Sequence, residues 1–198
     1  MYKRFNYHIH MKITHFFLTI LAAIRVWPAW MIVNTCSEKG RFKQDYIRWC
    51  RWKQLGKTNF WSFAFLMALH PAFRSVVYYR TKNAKYLVRW LCSERDDIFI
   101  YCKDIGGGFC IQHGFATIVN AERIGENFTV YQQVTIGYNK DSRPTIGDNV
   151  EVCCGAKVIG GIKIGDNVVV GANAFVNRDV PNDCIAVGVP AICKKSKG

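Results

Sequence analysis

From Ile105 to Val176 an aliphatic residue returns every six positions, often with Gly behind it: Ile105, Ile111, Ile118, Ile124, Val130, Ile136, Ile146, Val152, Val158, Ile164, Val170 and Val176. A period of six is neither the 3.6 of a helix nor the two of a half-buried strand. It is the pattern of a parallel β-helix, in which short strands turn corners and three of them close one coil. A second apolar series falls four residues after the first, at Phe109, Phe115, Phe128, Val134, Val150, Ala156, Ile162, Val168 and Ala174. Two breaks interrupt the period: one extra residue between Ile111 and Ile118, and four between Ile136 and Ile146.

A coil of about 18 residues lets the breaks predict what stacks on what. Ile111, Val130, Val152 and Val170 should form one inward column, with successive coils about 4.8 Å apart. Two residues after each come His113, Gln132, Cys154 and Ala172, which should form a second column with small side chains above the imidazole. The longer insertion, Gly137 to Thr145, is expected to bulge from the same neighbourhood with Lys140, Asp141, Ser142 and Arg143. His113, the sole histidine of the repeats, sits in a break of the coil beside this groove. Imidazole is the side chain best placed to take a proton near neutral pH. Cys154 could be read as a nucleophile, but its place two coils from His113 makes it a small groove residue, and Cys153 a corner or core residue.

Charge divides the chain near Cys92–Asp97. Residues 1–95 carry 17 Lys+Arg against 3 acids and all six Trp; residues 96–198 carry 10 against 11. The first part reads as helical. Its longest apolar run, Ile13 to Val33, is interrupted by Arg25 and Pro28, so an unbroken membrane span is not expected. Phe60 to Leu69 is too short to span. Apolar faces rimmed by Trp, Tyr, Lys and Arg suit a helix lying in a membrane interface; the plain alternative is an oligomerisation layer. No nucleic-acid motif accompanies the charge. Nine cysteines, odd in number and without CxxC or disulfide-scaffold spacing, fit a reduced cytoplasmic compartment. They argue against reading Met1–Ala23 as a secretory signal.

Gly106-Gly-Gly-Phe-Cys-Ile-Gln-His113-Gly, Ile124-Gly-Glu-Asn, Gln132-Gln-Val-Thr-Ile-Gly137, Pro144-Thr-Ile-Gly-Asp-Asn-Val, Gly155-Ala-Lys157 and Val187-Gly-Val-Pro-Ala191 together resemble the hexapeptide-repeat acyltransferases. The resemblance covers residues 98–193 and is strongest to the serine acetyltransferases and to the acetyltransferases of colanic-acid and capsular-polysaccharide type. It implies a helical region, 1–95, followed by a left-handed parallel β-helix, 96–198. It also implies a homotrimer, or a multiple of three, binding acetyl-CoA between subunits. His113 would deprotonate an acceptor hydroxyl that attacks the thioester directly, and backbone amides would stabilise the oxyanion. On this reading Gln112, Gln132, Asp141 and Arg143 meet the acceptor. Gly137, Cys154, Gly155, Ala172 and Pro190 line the cofactor arm and adenine, with Lys157, Lys194 and Lys195 facing phosphates.

The departures bear on the acceptor. Serine acetyltransferases carry Asp where Gln112 stands, and Arg-His-Pro where Ser142-Arg143-Pro144 stands. The carboxylate that orients their histidine falls at Ile98, with Asp97 or Asp96 as substitutes. These changes favour a sugar hydroxyl of a surface-polysaccharide precursor, with L-serine as the alternative acceptor and a non-catalytic β-helix assembly protein as the non-enzyme alternative. One histidine cannot make the three-histidine metal site of the hexapeptide carbonic anhydrases, so no metal is expected. The helical region is expected to place the enzyme peripherally on the cytoplasmic face of a membrane.

Overall fold

The computed structural model describes residues 2–140 and 142–195, with side chains from Thr14 onward except those of Phe16 and Lys195. Four helices come first: α1 (Tyr2–Thr35), α2 (Lys39–Trp52), α3 (Phe60–Leu69) and α4 (Pro71–Thr81), followed by a 3-10 turn, Lys82–Leu87. Asn59 caps α3 by accepting from Ser62 N at 3.1 Å, and Pro71 opens α4 at a position whose N–H would have no helical partner. Arg25 and Pro28 interrupt the apolar run but not the helix: α1 continues through Pro28. Ala22, Val26, Ala29 and Val33 lie on one side of it, all buried, and α1 packs mainly on α3. That packing holds the helix together on both sides of the missing hydrogen bond.

Beyond residue 97 the chain winds into a triangular parallel solenoid. Its first face stacks β1 (Ile98–Ile100), β3 (Thr117–Val119), β6 (Thr135–Gly137), β9 (Lys157–Ile159) and β12 (Phe175–Val176). The second stacks β4 (Arg123–Ile124), β7 (Thr145–Ile146) and β10 (Lys163–Ile164). The third stacks β2 (Cys110–Ile111), β5 (Thr129–Val130), β8 (Glu151–Val152), β11 (Val169–Val170) and β13 (Cys184–Gly188), and antiparallel β14 (Ala191–Lys195) covers β13. Ile111, Val130, Val152 and Val170 pair in register as the spacing predicts, and Ala186 extends the column.

Glycine recurs after the aliphatic position because the coils approach too closely there for a side chain. A Cβ on Gly125 would lie 2.7 Å from the backbone of Gly147, and one on Gly147 2.9 Å from that of Gly165. At the following corner Asn127, Asn149, Asn167 and Asp183 all take φ near +56° and link their side chains at 2.9–3.0 Å. Asn and Asp tolerate that left-handed geometry.

Two members of the expected periodic series fall outside the prism. Ile118 is 36% and Phe115 40% exposed, whereas Thr117 and Val119 are fully buried in their stead. Thr117 remains inside because its Oγ1 donates to Tyr131 O at 3.1 Å.

A buried ion pair joins the helices to the first coil. Arg80 on α4 donates to Asp45 on α2 (Nε–Oδ2 2.7 Å) and to the carbonyls of Ile105 and Gly106 at 2.7 and 2.6 Å. Asp45 in turn accepts from Phe109 N at 2.7 Å. Nearby, Trp49 Nε1 donates to Phe109 O, and Arg48 reaches Phe128 O and Thr129 Oγ1. Through these contacts the carbonyls of Ile105, Gly106 and Phe109 and the amide of Phe109 find partners on the helices.

Candidate active site

His113 lies at the corner between the third face and the first. From Ile111 to Val119, which pairs with Ile136 on the first face, the chain takes eight steps, where Val130 to Ile136 and Val152 to Val158 take six. Gln112 N donates to Val130 O at 2.8 Å and Gln133 N to Phe115 O at 2.9 Å, so register is held on both sides of the excess. His113 and Gly114 are the residues extruded between them. Gly114 N returns to Gln112 O at 2.7 Å while His113 takes φ +61°, which makes a γ-turn centred on the histidine. Such geometry at a non-glycine residue costs about 1–3 kcal/mol and is typically retained where a side chain must be presented. Gly114 has no alternative: at φ +75°, a Cβ would meet Ile111 and Ile98 side chains at 2.6 Å.

The second column therefore differs from expectation at its foot. Gly155 N bonds Gln132 O and Asn173 N bonds Cys154 O, so Gln132, Cys154 and Ala172 do stack. Phe115, by its bond to Gln133, holds the place expected for His113, and the imidazole stands outward beside that foot, exposed to solvent. At the other end Ala186 lies over Val170, so the turn Gly188–Pro190 continues the line above Ala172. Four coil spacings give a trough roughly 19 Å long. Gly155, at φ +72°, lies along it. Lys157 flanks it, with Nζ donating to Gln133 O at 2.5 Å. Lys194 is exposed on β14, and of Lys195 only the backbone is described.

Other expected members lie elsewhere. The insertion leaves β6 at the corner between the first and second faces, one whole face away from His113, so Gly137 and Arg143 do not meet the imidazole within one chain. Its tip closes through backbone bonds between Asn139 and Ser142 at 3.2 and 3.4 Å. Asp141 lies outside the described residues.

Around the imidazole, Gln112 Nε2 is 3.1 Å from His113 Nε2, so the amide donates and the ring nitrogen accepts. Ile98 supplies no carboxylate; it packs beneath Gly114. Asp97 is engaged by Arg95 at 2.6 and 2.7 Å, which holds its carboxyl below the ordinary value. Among the described residues, Gln132 Oε1 is buried with no partner, as is Asn120 Oδ1, and each is an acceptor waiting for a donor. Burial and the Glu151 carboxylate push the Cys153 thiol up, so it stays protonated near neutral pH. A cavity of about 700 Å³ lies between α4, the 3-10 turn and β1; Arg95 and Ile98 line it, but His113 and Gln132 do not. Sequence reading gave no role to Gly114 or Thr117 and put Phe115 inside the coil; the only trace of their true places was the extra length of that coil.

Residues 143–178 match the bacterial transferase hexapeptide (six repeats) family. The chain is 38% identical over 127 residues to the serine acetyltransferase of Staphylococcus xylosus, covering 59% of each protein. It is 45% identical over 91 residues to that of Synechococcus elongatus, covering 43% of this chain and 37% of the relative. The chain thus spans between about a third and three fifths of these relatives' lengths. In fold it resembles the serine acetyltransferase of Neisseria gonorrhoeae, with TM-score 0.68 and 19% identity, over 91% of this chain and 78% of that one. The soybean serine acetyltransferase apoenzyme superposes with TM-score 0.61 at 25% identity, over 76% and 66%. With helices leading into a solenoid of the left-handed β-helix type, the chain carries a bacterial-transferase hexapeptide domain and is a homologue of the serine acetyltransferases.

Proposed function

We propose that this chain is an acetyl-CoA-dependent O-acetyltransferase in which His113 is the general base. The observation that carries the reading is the γ-turn that presents the imidazole at the foot of a trough lined by Gln132, Cys154, Gly155 and Ala172. The acceptor hydroxyl takes the place of the Gln112 amide on His113 Nε2 and loses its proton to that nitrogen as its oxygen attacks the thioester carbonyl. Backbone N–H groups of the corner stabilise the oxyanion, a close approach that the small residues there permit. Collapse breaks the C–S bond, and the proton on His113 passes to the CoA sulfur.

L-Serine is the acceptor the relatives' names point to, and it is the leading reading. Gln132 Oε1, buried and unpartnered, can accept from an ammonium group. A sugar hydroxyl is the second reading: Gln112 is a neutral amide, and Asp97 is engaged by Arg95. Parallel assays of CoA release with L-serine and with a panel of nucleotide sugars and lipid-linked sugars separate the two. Binding of CoA with no release on any hydroxyl acceptor would instead favour a non-catalytic assembly role. The reduced cysteines are consistent with a cytoplasmic setting.

A trough open along one edge of a solenoid is completed by a neighbouring copy. Arg143, on the next corner, reaches an imidazole only across a subunit boundary. Closed three-fold assembly satisfies both. Mass measurement in solution should give a multiple of three chains; an active monomer would refute shared sites. Ala172 is exposed in mid-trough. Ala172→Trp should raise the KM for acetyl-CoA by about tenfold or more while leaving the acceptor KM nearly unchanged. Equal effects on both, or none, would place the cofactor elsewhere.

A further inference from the structure

Helix α1 is apolar on two opposite sides. One side, Ala22, Val26, Ala29 and Val33, is buried on the protein. The other carries Ile20, Leu21, Ile24, Trp27 and Met31, exposed by 37%, 62%, 71%, 57% and 55%. At 100° per residue these five share one face, which extends roughly 17 Å along the axis. The stretch Phe17–Thr35 is long and apolar enough to count as a membrane segment, yet little of it is buried inside the protein. A helix apolar all round is stable where apolar matter covers it on every side. Among the described residues, the protein covers one side only.

We propose that this face is a membrane-docking surface that settles, parallel to the bilayer plane, into the interface of an anionic phospholipid membrane. The charge distribution selects this occupant. Residues 1–95 carry a net charge of +14. Of its basic residues Arg25, Lys39, Lys43, Arg51, Lys57 and Lys82 are exposed; they attract an anionic surface, whereas like charge opposes bringing the same region of a second copy against it. Trp27 on the exposed face suits the headgroup boundary, where an indole buries its ring and keeps its N–H near water. Docking through α1 leaves the helix packed on α3 and the solenoid, with its trough, outside the bilayer. The inference stands on α1 and the charge alone and does not depend on the acetyl-transfer reading.

Flotation of the full chain with vesicles of phosphatidylglycerol and phosphatidylcholine, and with phosphatidylcholine alone, tests it. The protein should float with the anionic vesicles, less with the neutral ones, and keep part of its binding at high salt because the apolar face inserts. The Leu21→Gln/Ile24→Gln/Met31→Gln variant should bind anionic vesicles at least about tenfold more weakly and keep wild-type mass and wild-type acetyl transfer to a water-soluble acceptor. If that variant fails to fold, Ile24→Gln alone should still weaken flotation measurably. Wild-type protein that stays in the soluble fraction with both vesicle types would overturn the proposal. So would a variant that floats like the wild type, or one that binds equally well but splits into smaller assemblies, which would assign the face to a second copy.

Discussion

His113→Ala should lower turnover by at least about a hundredfold while leaving the affinity for acetyl-CoA nearly unchanged. The separation of effects follows from the placement. The imidazole is exposed and lies outside the column formed by Phe115, Gln132, Cys154 and Ala172, so its removal opens no cavity and leaves the trough intact. Only proton transfer is lost. Single-turnover kinetics paired with equilibrium binding of CoA decide it, and near-native turnover in the purified variant would end the assignment. Gln112→Ala is the informative companion. It removes the one side-chain hydrogen bond described for the ring, so it should cost less than His113→Ala and should not abolish the reaction.

Arg80→Met should destabilise the fold by about 3–5 kcal/mol, because it leaves the Asp45 carboxylate buried without its cation. Both side chains are fully buried, so solvent cannot take the cation's place. Burial pushes the Asp45 carboxyl up to about 6, while Arg80 pulls it down. A carboxyl raised above its ordinary 3.8 favours the fold fully at low pH, and that contribution is lost as pH rises through the folded value. Without Arg80 the value rises further, so the variant's loss should be larger at pH 7 than at pH 5. Urea unfolding at the two pH values measures this. Asp45→Leu/Arg80→Met should recover part of the loss, since it removes the orphaned charge as well. An unchanged midpoint in Arg80→Met would show that the clamp does not hold the helices to the solenoid.

The solenoid was legible in the sequence because its inward positions repeat with a fixed step, and the column Ile111–Val130–Val152–Val170 followed from counting. The same counting misplaced His113. Between Ile111 and Ile124 the structure adds two residues before Val119 and drops one after it, leaving a net excess of one. Isoleucine at 118 and phenylalanine at 115 fit the apolar template at the wrong phase, whereas the true inward residue Thr117 looks polar until its bond to Tyr131 O is known. The insertion after β6 was legible as a loop, but its corner depends on which face β6 joins. Arg25 and Pro28 interrupt the apolar run in the sequence, yet α1 stays continuous through both, because the packing of Ala22, Val26 and Ala29 is not visible to local propensity. The Arg80–Asp45 pair, 35 residues apart, left no local trace at all.

The most direct measurement is acceptor-dependent release of CoA from acetyl-CoA by the purified full chain, with the product identified by mass spectrometry. With L-serine present, the expected result is free CoA in step with an acceptor carrying one added acetyl group as an ester, and loss of both in His113→Ala. A sugar hydroxyl acetylated in preference to serine would keep the chemistry and change the acceptor. CoA bound but never released, on serine and on every sugar offered, would contradict acetyl transfer at this corner.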